Sequence, residues 1–347
     1  MSQVIDHVDA IAKAVLYEGY LLYPYRRSAV KNQVRWTFGG VHPRTWSEAT
    51  GGFEPWVQQV QSLVTAPGGG SVPAASASFP AGCRLTVMVR FLRLRACSRP
   101  GEPVWQEATE WSTTAPDLGL ADLLREPVLL AIELPAGQGE GPDGDGVRRE
   151  WRELIGQAEV SAEPAGEGAI RLTVRVQNTT PVPEPDKVGR EQAMLQSMAS
   201  THAVLSVEGG GFVSLSDPPE ALRAAALACQ NVGVWPVLVG EPGSDHTVLA
   251  SPIILEDHPQ VAPESPMDLF DATEIDEILT LRILTLSDEE KQELRQGDER
   301  GRKILERAEA LTPDELMRMH GTVRSLRPVD GDDWAATASP FAGESRR

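Results

Sequence analysis

Alternating apolar and polar positions recur through the middle of the chain and predict β-strands. In AIRLTVRVQN, the apolar side chains of Ile170, Leu172, Val174 and Val176 alternate with polar ones. A period of two is typical of a strand that buries one face. Further strands are predicted at CRLTVMVRFLRLR, PVLLAIEL, VGVWPVLVG and HTVLASPIIL.

Glycine-rich stretches separate these strands. The run THAVLSVEGGGFVSL predicts a β-hairpin whose turn is formed by glycines 209 to 211, because tight hairpin turns need positive φ. Residues 66–82 and 137–146 combine Gly with Pro, Ser or Asp. That composition predicts two long surface loops or linkers.

Residues at the spacing typical of helices occur near the two ends of the chain and in one short internal segment. Val4, Val8, Ile11 and Val15 share one face of a predicted N-terminal helix, and SDPPEALRAAALACQ predicts an internal one. Capping-box spacing recurs after residue 266, at Asp271/Glu274, Ser287/Glu290 and Thr312/Glu315. Residues 275–286 carry more apolar side chains than one helix stripe needs. We therefore expect this segment to be buried, against the β body or against a partner.

These patterns predict an α+β protein with a mainly antiparallel, β-sandwich-like body. Residues 1–65 are expected to form an N-terminal helix and a Tyr/Arg-rich segment that pack on the body. The β-rich body spans residues 80–262, and a helical, acidic C-terminal region spans residues 263–322. Residues 323–347 lack periodicity and are expected to be a disordered tail.

Charge and composition argue against some binding partners and some cellular locations. The net charge of −18 argues against nucleic acid, whose phosphates need basic surfaces. No apolar run is long enough to predict a membrane span, and no secretory signal is apparent at the N-terminus. The three cysteines do not form a paired framework, which favours reduced thiols and a cytoplasmic location.

No motif in the sequence predicts a catalytic or metal centre. The chain lacks a Gly-rich phosphate loop and a G-x-S-x-G turn. Its histidines lack partners at metal-binding spacing, so each is expected to be a surface or capping group. Cys229 is expected to be an inert residue of an apolar helix. We therefore assign no catalytic residues, no metal ligands and no cofactor.

One short segment has an unusual composition and is the candidate binding site. It contains every tyrosine of the chain together with four basic residues, namely Tyr17, Tyr20, Tyr23, Tyr25, Arg26, Arg27, Lys31 and Arg35. Under one interpretation the tyrosines pack on the edge of the β body and the basic residues pair with C-terminal acidic groups. Under the other, the segment is a recognition surface, since Tyr and Arg are enriched at interface hot spots. The two interpretations are compatible.

Two long segments carry a resemblance to a known family. LYEGYLLYPYRRSAVKNQVRWTFGGVHPR and FDATEIDEILTLRILTLSDEEK resemble an uncharacterised bacterial family associated with NiFe-hydrogenase gene clusters of actinobacteria and other soil bacteria. The resemblance covers roughly residues 14–320. It implies an accessory protein that contacts hydrogenase subunits or maturation proteins, and it transfers no catalytic residue.

The sequence therefore predicts a non-catalytic accessory protein that acts through protein–protein contacts. Two alternatives stay open: an enzyme with an unrecognised site in the β body, and a β protein that binds a small molecule. A deep pocket with convergent polar groups would favour these alternatives, whereas an exposed apolar or aromatic patch would favour protein contacts. The sequence does not specify the oligomeric state.

Overall fold

The fold is built on two antiparallel β-sheets packed face to face, in a computed structural model of the chain. The structure describes residues 11–12, 16, 38–66, 82–101, 104–140, 146–166, 168–259, 277–296, 299–312 and 314. Its strands are β1 (Val57–Thr65), β2 (Arg84–Ser98), β3 (Trp105–Gly119), β4 (Val128–Leu134), β5 (Gly137–Glu140), β6 (Arg148–Trp151), β7 (Leu154–Gly166), β8 (Ala169–Asn178), β9 (Met198–Glu208), β10 (Gly211–Val213), β11 (Trp235–Leu238) and β12 (Thr247–Ser251). Its helices are α1 (Arg44–Ala49), α2 (Leu120–Leu123), α3 (Arg190–Met194), α4 (Arg223–Leu227), α5 (Glu277–Leu284), α6 (Asp288–Gln296) and α7 (Glu299–Ala310). The predicted α+β class with a sandwich-like body is confirmed.

The first sheet has the strand order β10-β1-β8-β7-β4. Its central strand, β8, pairs along its length with β1 and β7. Ile170, Leu172, Val174 and Val176 are all buried in the core between the sheets, as the alternating pattern predicted. The alternation fixes which face of β8 turns inward, because successive side chains of a strand point to opposite faces.

The second sheet runs β11-β12-β9-β2-β6-β5, with β3 paired to the other edge of β2. Leu85, Val87, Val89 and Phe91 of β2 point into the sandwich core. Farther along the strand, Leu92 and Leu94 belong to a different apolar cluster. The outward face of this end of β2 is therefore apolar, and it needs a covering layer.

The C-terminal helices supply much of that layer. Ile283 and Leu286 are buried with Leu92 and Leu94, and α6 and α7 extend the same cluster. Of the apolar side chains in residues 275–286 whose burial the structure describes, Ile283 and Leu286 are thus buried internally against the β body, whereas Leu281 is exposed. At the start of α6, the backbone N–H of Ser287 donates to Glu290 Oε2 (2.9 Å), and the N–H of Glu290 donates to Ser287 Oγ (3.2 Å). This reciprocal pair confirms the predicted capping box.

The predicted β9–β10 hairpin is wrong. The glycine turn is present, with Gly209 at φ 72°, but it carries the chain from the second sheet to the first. Both edges of β9 are already occupied by β2 and β12, so β10 pairs with β1 instead. Phe212 then enters the core between the sheets.

The predicted loop at residues 137–146 needs a correction at its start. Gly137–Glu140 forms β5 and pairs with β6. A Cβ atom at Gly137 would lie 2.7 Å from Trp151 Nε1, so glycine allows the indole to lie against this strand. Composition alone predicted a loop, because the sequence does not show that Trp151 packs against this strand.

Several predictions fall outside the described residues. They concern most of the N-terminal helix, residues 67–81 of the first predicted loop, the Asp271/Glu274 capping box, Glu315 and the C-terminal tail. At the N-terminus, Ile11, Ala12 and Leu16 are helical and buried. Ile11 and Ala12 pack with Leu249, and Leu16 packs with the cluster around the C-terminal helices.

Candidate functional site

The structure does not describe the eight predicted binding residues, Tyr17, Tyr20, Tyr23, Tyr25, Arg26, Arg27, Lys31 and Arg35. It does show where their segment begins and ends. Leu16 is buried beside Leu92 and Leu94 of the second sheet. Beyond the segment, the carbonyl oxygens of Phe38 and Gly39 accept hydrogen bonds from the backbone of Ser200 (3.1 Å) and Thr201 (2.9 Å) on β9. Both ends therefore contact the second sheet.

A short turn between α1 and β1 presents an exposed aromatic side chain. Residues 50–55, which we call the Phe53 turn, include Gly51 and Gly52 at φ 90° and 74°. These values favour glycine, because a Cβ atom makes them strained. Phe53 follows directly and is 91% exposed, with its ring edge beside Gly51. A phenylalanine this exposed stands out in a chain with few aromatic residues.

Backbone hydrogen bonds hold the turn on both sides of Phe53. The N–H of Gly52 donates to the carbonyl of Ser47 (2.8 Å), and the N–H of His42 donates to the carbonyl of Pro55 (2.8 Å). The hydroxyl of Ser47 also donates to the carbonyl of Glu54. Each neighbour of Phe53 is thus fixed to α1 or to the segment before it.

A partly buried polar group lies beneath the turn. Arg190 Nε of α3 donates to Glu54 Oε1 (2.7 Å), and Glu54 Oε2 lies 3.0 Å from His42 Nε2. This contact is an ion pair only when His42 is protonated. Trp46 packs against the imidazole with ring centroids 5.3 Å apart, and its indole N–H donates to the carbonyl of Val188 (2.8 Å).

The charges in this group follow from burial and pairing. Burial lowers the pKa of His42, so the imidazole is neutral near pH 7, although the charge of Glu54 opposes this shift. For Glu54, burial acts to raise the pKa, but the hydrogen bond from Arg190 and the neighbouring His42 outweigh it and lower the pKa. The pair formed by Glu54 and Arg190 is therefore ionised, and it ties the Phe53 turn to α3.

The same group resembles a hydrolytic triad in composition. Ser197 Oγ lies 3.1 Å from His42 Nδ1, which gives a chain from Ser197 through His42 to Glu54. The hydroxyl of Ser197 donates its single proton to the carbonyl oxygen of Ala193 (2.8 Å), so it is not free to be donated to His42 as well. Ser197 and His42 are both fully buried, so a substrate could not reach the hydroxyl in this structure. This geometry favours a structural role.

The sequence predicted that each histidine is a surface or capping group, and the fully buried His42 contradicts this prediction. His202 contradicts it as well, since it is fully buried on β9 with Nδ1 3.0 Å from the carbonyl of Ser200. Its Nε2 has no hydrogen-bond partner among the described residues. Burial lowers the pKa of His202 to about 4. Both histidines are buried because strands or loops distant in sequence close over them.

Two further polar clusters are paired within the fold. Glu107 accepts hydrogen bonds from Arg149 Nε (2.9 Å) and from the indole of Trp105 (3.1 Å). Asp257 accepts from the hydroxyls of Ser214 (2.6 Å) and Ser216 (2.9 Å). Both clusters join segments that are distant in the chain. Because each carboxylate has its hydrogen-bond partners within the protein, a structural role explains both clusters.

Comparisons with known proteins give no family assignment: no family model, no curated protein and no solved structure matches the chain. Across the described ranges, no helix combines the length and apolarity needed to cross a membrane. Within the same residues, no three His, Cys, Asp or Glu side chains are grouped so that they could hold a metal ion.

Sequence analysis did not single out Phe53. A usable signal was present in TGGFEPW, where two glycines and a proline bracket a phenylalanine that belongs to no periodic apolar pattern. Its exposure could not be inferred, because a phenylalanine near a strand usually contributes to the core.

Proposed function

We propose that this chain is a non-catalytic accessory protein that acts through protein–protein contacts. The observation that supports this function best is the Phe53 turn, in which a fixed backbone presents an almost fully exposed aromatic ring. The family resemblance suggests the partners: subunits of a NiFe-hydrogenase or the proteins that mature it.

The rigidity of the turn favours binding. Ordering a loop on association costs free energy, and a loop already fixed avoids much of that cost. Gly52 and Pro55 are held by backbone hydrogen bonds, and Glu54 is held by Arg190. The ring of Phe53 therefore needs little rearrangement to enter an apolar pocket of a partner.

Charges of both signs lie on α1, the helix that precedes the Phe53 turn. Arg44 pairs with Glu48 (2.8 Å) on α1, and the Arg44 guanidinium lies 4.6 Å from the centroid of the Trp56 ring. A polar rim around an aromatic anchor is typical of a protein–protein interface. Burying a phenylalanine side chain contributes about 1.5–3 kcal/mol, which is enough to make one residue dominate the affinity.

The test measures binding of the purified chain to separately purified NiFe-hydrogenase subunits and maturation proteins. We expect one of them to bind, and Phe53→Ser to weaken binding about tenfold or more, equivalent to about 1.4 kcal/mol. The matched control is Ile254→Ser, because Ile254 is also apolar and exposed. Folding is checked by urea unfolding, which neither substitution should change strongly.

Two results would contradict the proposal. If none of these proteins binds, the hydrogenase assignment fails. If one binds equally well to wild type and Phe53→Ser, the Phe53 turn is not the contact, and the Tyr/Arg-rich segment becomes the remaining candidate.

A further inference from the structure

A second surface is formed by a segment that contains no charged residue. Residues 224–240, which we call the neutral segment, contain no Asp, Glu, Lys, Arg or His. The neighbouring strand β1 (Val57–Thr65) is also free of these residues. In a chain where 24% of residues are charged, such an uncharged area is unusual.

The neutral segment exposes large apolar side chains. Leu227 at the end of α4 is 82% exposed, and Val232 and Trp235 are 44% and 46% exposed. Since a residue spans at most about 3.6 Å, the Cα atoms of Val232 and Trp235 lie within roughly 11 Å of each other. Helix α4 is attached to the first sheet, because Ala226 packs in one cluster with Leu63 of β1.

Backbone bonds attach the neutral segment to β1. Val232 exchanges two hydrogen bonds with Gln59 (3.0 and 2.8 Å). The side-chain oxygen of Gln61 accepts from the N–H of Gln230 (2.7 Å), and the N–H of Gln61 donates to Asn231 Oδ1 (2.7 Å). The side-chain hydrogen bonds that attach the neutral segment to β1 thus come from uncharged glutamine and asparagine residues.

The edge of β11 is closed to strand addition. Pro236 has no N–H to donate. The N–H of Leu238 donates to Asp257 Oδ1 (2.8 Å), and its carbonyl accepts from the N–H of His258 (2.7 Å). A partner at this surface therefore contacts side chains and does not extend the sheet.

Two of the charged residues at the margin of the neutral segment, Arg223 and Arg171, are paired with carboxylates. Arg223 lies 2.9 Å from Glu220, and Arg171, which neighbours Cys229, lies 2.7 Å from Glu163. These two pairs therefore add little net charge to the surface.

We propose that the neutral segment is the contact surface between two copies of this chain. In a two-fold dimer the same patch meets itself, so a charged residue near the axis would face its own like charge. Two chains with a net charge of −18 repel each other, and an uncharged apolar patch is where they can approach most closely. A basic partner, by contrast, would be attracted to the acidic surfaces outside this segment.

The test is sedimentation equilibrium of the full-length chain at low and high salt. We expect a dimer with a Kd in the micromolar range, formed more tightly at high salt because salt screens the repulsion between the acidic copies. Leu227→Lys should weaken the dimer about tenfold or more. Leu129→Lys is the matched control, since Leu129 is an exposed leucine on β4, at the opposite edge of the first sheet.

A second variant, Trp235→Gln, removes the aromatic ring without adding charge and should also weaken the dimer. Urea unfolding at one protein concentration confirms that each variant folds. A chain that stays monomeric at about 100 μM, where a micromolar dimer would form, would overturn the proposal. A dimer unaffected by Leu227→Lys, or one that dissociates as salt rises, would also overturn it. The measurement uses no other protein, so its outcome is independent of the Phe53 contact.

Discussion

Buried neutral histidine should make the stability of this protein fall steeply in mild acid. His202 lies on β9 directly across from Arg90 of β2, where Arg90 disfavours and Glu110 favours a charged imidazole. Burial is the larger effect and lowers its pKa from 6.5 to about 4. In the unfolded chain the imidazole is exposed to water and returns to its ordinary pKa.

The direction in which stability changes with pH follows from how many protons the folded and unfolded chains bind. Between pH 6.5 and about 4, the unfolded chain binds a proton at His202 and the folded chain does not, so unfolding becomes more favourable as the pH falls. Stability is complete above the unfolded pKa and is lost as the pH falls toward the folded one. At pH 5 the loss from this one residue is about 2 kcal/mol.

The measurement is urea unfolding of wild type and His202→Asn at pH 7.5 and pH 5. Asparagine can keep a donor toward the carbonyl of Ser200, and it cannot become charged. We expect the difference in unfolding free energy between the two pH values to be about 2 kcal/mol smaller in the variant. Any cost of the substitution itself cancels, because each protein is compared with itself.

His42, whose pKa is also lowered by burial, contributes to both proteins and cancels in the same way. Carboxylates with lowered pKa values, such as Glu54 and Glu107, lose their stabilising effect mainly below this pH window. If wild type and His202→Asn show the same pH dependence, His202 is not a buried neutral imidazole, and the reasoning is refuted.

Two further predictions concern the ends of the chain. Ser287→Ala removes the hydroxyl that caps α6 and should lower the unfolding free energy by about 1 kcal/mol, measured by urea unfolding; no loss would show that the capping box contributes nothing. For the Tyr/Arg-rich segment, Arg26→Glu with Arg27→Glu should slow partner association, whereas Tyr20→Ala with Tyr23→Ala should speed dissociation about tenfold, measured by binding kinetics on folded variants. If the tyrosine variant unfolds while the arginine variant binds normally, the segment is structural.

The sequence determined the features that depend on near neighbours in the chain. The alternation in β8 specified a strand and its buried face, because side-chain direction is a local property of extended backbone. The spacing of Ser287 and Glu290 specified a helix start, since both partners lie within one turn. The apolar excess in residues 275–286 predicted burial, and the β body supplies it for Ile283 and Leu286.

Only the tertiary structure decided which distant segments meet. The glycine turn after β9 was visible in the sequence, but its role as a crossing between sheets depends on β2 and β12 already occupying both edges of β9. His42, Glu54 and Arg190 meet beneath the Phe53 turn although α3 lies far along the chain from the other two. Phe53 itself is exposed because this buried group holds the backbone on either side of it. Such contacts pair residues across long chain separations, and no local pattern of apolar and polar positions records them.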